Sequence, residues 1–128
     1  MILLLDSHAL IWFLEDDVRL SAGARAAITD PANHSVVSDA TAWEMGIKHA
    51  LGRLTLPVAF ETLFPGRLEE LGFHTLPIRH AHLHQMVKLP RHHGDPFDRL
   101  LIAQAQVEGF TLVSCDTHFP AYGVPLLW

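Results

Sequence analysis

At 128 residues with a single cysteine, Cys115, the chain fits one domain over residues 1–128, which buries roughly two-thirds of its unfolded surface without disulfide staples and suits a reducing cytoplasm. A net charge of −5 excludes a protein that holds nucleic acid with a broad basic surface, because such binding rests on Lys and Arg neutralising phosphates. Any contact with nucleic acid has to be local or run through a metal.

The chain opens on Ile2-Leu3-Leu4-Leu5, a short apolar run that reads as a buried strand, and Ser7 to Glu15 follow as a helix too apolar to face water all round. With no basic stretch before this run, a charge at Asp6 and no apolar segment near the ~18 residues of a membrane span, a soluble, unexported, cytoplasmic protein with no membrane partner is expected. Ser21 caps a second helix that stops before Pro31, and Ser35 to Ser38 form a strand. Asp39 is expected to cap a helix that carries Glu44 and ends at Gly52. Pro57 to Leu71 reads as helix, broken at Pro65-Gly66 and stopped by Gly72. Phe73 to Ile78 is extended, His80 to Lys88 helical, and Pro90 to Gly94 an Arg/His-rich loop. Asp95 as N-cap with Pro96 at N1 starts a helix that runs to Gly109. Thr111 to Cys115 is a central strand whose neighbours imply a packed, inert thiol at Cys115, and Val124 to Leu127 a short final one. Strands alternating with helices predict an α/β fold with a mainly parallel sheet covered on both faces.

Four acidic residues stand out against this frame. Asp6 and Asp116 follow apolar strands, at the edge where open α/β sheets place their ligands. Glu44 and Asp98 lie just inside helices. Each has an ordinary reading when taken alone: Asp6 and Asp116 as caps, Glu44 as the partner of Lys48 at i,i+4, and Asp98 as an N3 acid favoured by the helix dipole. Independent caps need not gather at one sheet edge, however. Converging carboxylates repel unless a hard cation joins them, so the set points to Mg²⁺ or Mn²⁺ held by oxygen ligands and to metal-dependent phosphodiester hydrolysis, with all four acids as metal ligands and catalytic groups. Lys48, Arg91, His92 and His93 are the candidate substrate contacts. Asp95, by contrast, is read as a pure cap.

Ten histidines invite a zinc reading that the spacing does not support. His80, His82 and His84 spread around a helix, only His80 and His84 have the i,i+4 separation of a helical pair, and cysteine ligands are lacking. A phosphotransfer receiver would need a second acid beside Asp6 and a late lysine, and a haloacid-dehalogenase-like phosphatase an aspartate where His8 stands.

The segments Leu4-Leu5-Asp6-Ser7-His8-Ala9-Leu10, Thr41-x-Trp43-Glu44-x-x-x-Lys48, Gly94-Asp95-Pro96-Phe97-Asp98-Arg99-Leu100-Leu101-Ile102-Ala103-Gln104-Ala105 and Leu112-Val113-Ser114-Cys115-Asp116-x-x-Phe119 together resemble the PIN-domain ribonucleases of the VapC toxin type. The likeness spans essentially the whole chain. It implies a three-layer α/β/α fold, an Mg²⁺- or Mn²⁺-dependent endoribonuclease acting on RNA, a homodimer, and neutralisation by a cognate antitoxin protein. By motif position it makes Asp6, Glu44, Asp98 and Asp116 the acidic pocket, with Ser114 where the family commonly has threonine. A mean hydropathy of +0.21, high for a small monomer, leaves apolar surface for such partners. The alternative from another class is a PIN-like module that binds protein and has lost turnover.

Overall fold

A computed structural model describes all residues from Met1 to Trp128. Five strands, β1 (Ile2–Leu5), β2 (His34–Ser38), β3 (His74–Leu76), β4 (Thr111–Val113) and β5 (Leu126–Leu127), form one sheet in the order β3-β2-β1-β4-β5. Every neighbouring pair is parallel, with Leu4 opposite Val36 on one side and Leu112 on the other. Leucine at each of positions 3, 4 and 5 suits this central place, because a parallel strand is buried on both faces. Leu3 and Leu5 point into a core with Ala9, Leu10, Val37 and Met45. Leu4 points the other way, to Ile102, Leu112 and Phe119.

Helices α1 (Ser7–Leu14), α2 (Ala22–Thr29) and α3 (Asp39–Ala50) cover the first face, and α6 (His80–Lys88) and α7 (Pro96–Glu108) the second. Between them the helix expected from Pro57 begins only at Phe60, and it is divided near the expected Pro65-Gly66 break. Short α4 (Phe60–Thr62) and α5 (Leu68–Glu70) flank a turn at Leu63–Arg67, where Phe64 leaves helical geometry (φ −112°, ψ 115°). Proline at 65 disfavours the α conformation for its predecessor, which is the break the sequence marks.

Three further expectations are corrected. Ser38, not Asp39, is the N-cap of α3: its extended backbone ends β2 and its Oγ accepts from Ala40 N at 3.0 Å. Asp39 becomes a first-turn residue, favoured there by the dipole. Cys115 is exposed, since β4 ends at Val113 and the thiol falls beyond the packed strand. The final strand is only two residues long. The helix stops hold: Gly109 ends α7 at φ 72°, in the left-handed region that glycine enters without penalty.

The topology fixes where a site belongs. The chain moves outward from β1 through β2 to β3, then returns to the opposite side of β1 for β4 and β5. A crevice opens where that order reverses, at the C-terminal ends of β1 and β4. Helices α3 and α7 present their N-terminal turns to the same edge. A buried polar cluster ties them together: Ser38 Oγ donates to Gln104 Oε1, and Gln104 Nε2 reaches Pro77 O (3.4 Å) and His82 Nδ1 (3.3 Å). Replacing Gln104 by leucine strands these partners in an interior that is fully closed at position 104. Gln104→Leu is expected to lower stability by about 1–3 kcal/mol in urea unfolding; a loss within ~0.5 kcal/mol, the range of an ordinary surface change, would contradict this.

Candidate active site

Asp6 and Asp116 stand on adjacent strands at the crevice. Asp6 follows β1 directly and caps α1, its Oδ1 accepting from Ala9 N at 2.8 Å. Asp116 lies three residues beyond β4, and its Oδ1 accepts from His118 N at 2.8 Å in a tight turn. Glu44, in the second turn of α3, is buried and meets Lys48 Nζ at 3.6 Å. Asp98 sits in the first turn of α7. The capping is done by Asp95, whose Oδ1 accepts from Phe97 N (2.9 Å) and Asp98 N (3.0 Å). The Asp98 carboxylate is therefore spared that role.

Charge shows that the four acids converge. Burial first, then the charges of Asp95, Asp116, Glu44 and Asp6, push the Asp98 carboxyl up to about 7. Asp6 is also raised, chiefly by burial and further by Asp116, against the pull of a Ser114 hydrogen bond, the Ala9 N–H and the His8 charge. Asp98 thus lies within reach of the charge of all three other acids, and Asp6 within reach of that of Asp116.

Two histidines close over this group. His93 and His118 stack with ring centroids 4.8 Å apart and planes 10° from parallel. His93 Nε2 lies 3.3 Å from Asp98 Oδ2, and His118 Nδ1 lies 3.0 Å from Asp116 Oδ1. The protons on His93 follow from its partners. The Tyr122 hydroxyl accepts from Arg99 Nη1 (3.2 Å) and His93 N (3.3 Å), so its own hydrogen donates to His93 Nδ1 at 2.6 Å. Neutral His93 then carries its proton on Nε2 and donates to Asp98. Burial and the nearby His118 hold the His93 imidazole below its usual range, in keeping with that neutral form.

Among the expected substrate contacts, Lys48 and His93 each touch a site acid. His92 is exposed and packs edge-on against Tyr122, with centroids 4.8 Å apart. Arg91 lines a separate hollow with Met86, Val87 and Arg99. The His80, His82 and His84 set forms no metal site: His82 is fully buried and its Nε2 meets Glu108 Oε1 at 2.8 Å. His8, Arg99, His118 and Tyr122 stand at or beside the site without having been expected there. The signal for two of them was plain, since His8 and His118 each stand two residues after a strand-exit aspartate.

The chain matches the family model described as PIN domain over residues 3–125. The chain belongs to the PIN domain family. A stretch of 68 residues is 37% identical to ribonuclease VapC16 of Mycobacterium tuberculosis, covering 50% of this chain and 48% of that protein, so the likeness spans about half of the curated relative's length. The fold is similar to VapBC2 from Rickettsia felis bound to a DNA fragment from its promoter (TM-score 0.70, 12% identity, 98% of this chain and 97% of that one). It is also similar to FitAcB from Neisseria gonorrhoeae (TM-score 0.68, 19% identity, 98% and 96%) and to VapC20 of M. tuberculosis, a sarcin-ricin loop cleaving toxin (TM-score 0.65, 14% identity, 95% and 95%). The expected α/β/α architecture is that of this family.

The acids of this PIN domain suit a hard cation by their chemistry: four carboxylates and the Ser114 hydroxyl, all oxygen, in a site whose repulsion a positive ion would relieve. As the side chains stand, no three acidic, histidine or cysteine groups are close enough to grip an ion together. Asp98 and Asp116 each turn an oxygen toward a histidine.

The raised Asp98 group also has a consequence for stability. Its folded pKa of about 7 exceeds the ordinary 3.8, so between these values the folded protein binds more protons than the unfolded one, and stability falls as pH rises through that window. In excess chelator, Asp98→Asn is expected to raise Tm at pH 8, where the charge it removes is present, and to change little at pH 4, where Asp98 is protonated. An equal shift at both pH values would show that Asp98 is not held in a repulsive site.

Proposed function

We propose that this PIN domain is an Mg²⁺- or Mn²⁺-dependent endoribonuclease, the toxin of a toxin–antitoxin pair. The observation that carries the reading is the convergence of Asp6, Glu44, Asp98 and Asp116 at the crevice between β1 and β4, expressed in the elevation of Asp98 to about 7. The partial identity to ribonuclease VapC16 supports the same reading.

A bound divalent cation supplies charge to a phosphate oxygen and acidity to a water molecule. The chain supplies position. Asp6 and Asp98 are the direct ligands, the first anchored by the Ala9 N–H and the second freed from capping by Asp95. Glu44 and Asp116 act through water or orient the attacking molecule, with Lys48 holding Glu44 and His118 holding Asp116. Lys48, Arg91, His92 and His93 remain the side chains for substrate phosphates. Unpaired or looped RNA suits a site this open, because its backbone is accessible.

Purified protein free of partner is expected to cleave RNA with Mg²⁺ or Mn²⁺ and to stop in excess EDTA. Asp98→Asn should lose more than the ~10–100-fold that removal of a mere supporting residue costs a metal site. Asp95→Asn, which keeps a capping oxygen, should retain most activity and cost well under ~1 kcal/mol in thermal unfolding. The reverse ranking would exchange the ligand and the cap. Cleavage undiminished by EDTA, in preparations shown free of other ribonucleases, would falsify the metal reading. A binding module without turnover predicts no cleavage under any of these conditions.

The reading includes a homodimer and a cognate antitoxin, partners for which the surface has apolar area to offer. Trp43, Ile47 and Leu51 follow one another at helical spacing along α3 and over its end, and are 59%, 39% and 62% exposed. Expressing the chain with the product of the adjacent small gene should relieve growth arrest, and light scattering should give a dimer mass for the chain alone and a larger one for the complex. A harmless, monomeric chain that ignores that product would remove the toxin assignment.

A further inference from the structure

Beside the carboxylates lies an open hollow of about 370 Å³, lined by Asp6, His8, Trp12, Asp116, Thr117 and His118. Its volume falls within the ~300–1,000 Å³ of small-molecule sites, yet the proposed chemistry needs only the acids at its rim. The aromatic walls are unused.

These walls are well fixed. Trp12 is partly buried and packs on the core beneath α1. Trp128 meets it edge-on at 5.8 Å, and the Arg19 guanidinium lies 5.0 Å from its ring centre. His8, exposed one turn earlier on α1, sits 5.4 Å from the same ring at a tilt of 35°. His118 is 57% exposed and carries His93 on one face, which leaves the other face open. A rim formed by Asp6 and Asp116 repels phosphate, so the part of a nucleotide that enters without a counter-charge is its neutral, planar base. Imidazole and indole surfaces are what such a base stacks on.

We propose that this hollow is a nucleobase subsite, which takes one unpaired base of the RNA next to the phosphate held at the carboxylates, stacked on the open face of His118 and bounded by His8 and Trp12. The proposal rests on the ribonuclease reading for the identity of its ligand. A duplex cannot deliver a base there without unstacking it, so the subsite selects unpaired RNA. Stacking tolerates every base, so it favours position over sequence.

His118 also orients Asp116 through its Nδ1, and two substitutions separate that role from stacking in the binding of RNA. His118→Phe keeps a stacking ring and loses the hydrogen bond, whereas His118→Asn keeps a hydrogen-bonding amide and loses the ring. Binding is read by fluorescence anisotropy with a short labelled single-stranded RNA of mixed sequence, in the full-length Asp98→Asn chain with Mg²⁺ so that the RNA survives. His118→Phe is expected to bind like this reference. His118→Asn and His8→Ala should bind roughly 5- to 150-fold more weakly, the range for loss of one base–aromatic stack, with thermal unfolding unchanged. Replacing every nucleotide of this RNA by its abasic counterpart should weaken binding to the reference by a similar factor and hardly change binding to His118→Asn.

Retention by His118→Asn with loss in His118→Phe would overturn the subsite in favour of a positioning role. Equal binding of the RNA and its fully abasic counterpart by the reference would overturn it outright. Cleavage by the wild-type chain with Mn²⁺ is scored separately. Cleavage with base-insensitive binding removes the subsite alone, while base-dependent binding without cleavage removes the ribonuclease reading alone.

Discussion

Repulsion among four carboxylates at the exit of a parallel sheet is the constraint to which the rest of this structure answers. Two like charges 4 Å apart repel by roughly 4 kcal/mol at an effective dielectric of 20. A capping hydrogen bond returns about 1 kcal/mol, and an exposed ion pair such as one to Lys48 about 0.3–0.5 kcal/mol. No single local contact offsets the group. What holds it is the double-faced core around β1, where Leu3, Leu4 and Leu5 are completely buried and fix the position of Asp6 one residue on. The acid at the centre of the site is attached to the best-packed strand of the molecule.

Arg99 extends the same logic to the loop beside the site. It follows Asp98 directly but points inward, almost fully buried, and its guanidinium donates to the carbonyls of Met86, Leu89 and Pro90 and to the Tyr122 hydroxyl. A buried guanidinium is tolerable only when such acceptors surround it. In satisfying itself it joins the end of α6, the start of the Arg/His-rich loop and the turn before β5. His93 is thereby held twice by the Tyr122 hydroxyl, through its backbone N–H and through its Nδ1, and its Nε2 is aimed at Asp98. One charged residue in the core thus sets the geometry of a largely buried imidazole beside the acids.

Much of this was legible in the sequence because it depends on local patterns. Runs such as Ile2-Leu3-Leu4-Leu5 announce buried parallel strands, and Asp95-Pro96 with Gly109 brackets α7. The positions of Asp6 and Asp116 at strand exits followed from those runs alone. What was not legible depends on contacts between distant residues. His118 meets His93 across 25 positions, Arg99 finds acceptors on both sides of itself, and Ser38 bonds Gln104 from another layer. The exchange of Ser38 for Asp39 as N-cap reflects the short step from β2 to α3. With no loop between them, the last strand residue already has the extended backbone that a cap requires.

The double service of the strand-exit aspartates bears on how such sites are distinguished from ordinary caps. Asp6 and Asp95 both accept backbone N–H groups of a first helical turn, so hydrogen bonding alone does not separate them. They differ in their surroundings. Asp6 is buried among other acids and its carboxyl is raised against its bonds to Ser114 and Ala9, while Asp95 gives its Oδ1 to two N–H groups at the margin of the group. Asp98 completes the contrast, with no backbone N–H to lower it and a carboxyl pushed up to about 7. A cap is told by the hydrogens it accepts and a crowded acid by the charges around it, and Asp6 answers to both descriptions, its Oδ1 taking the Ala9 N–H while Asp116 raises its carboxyl.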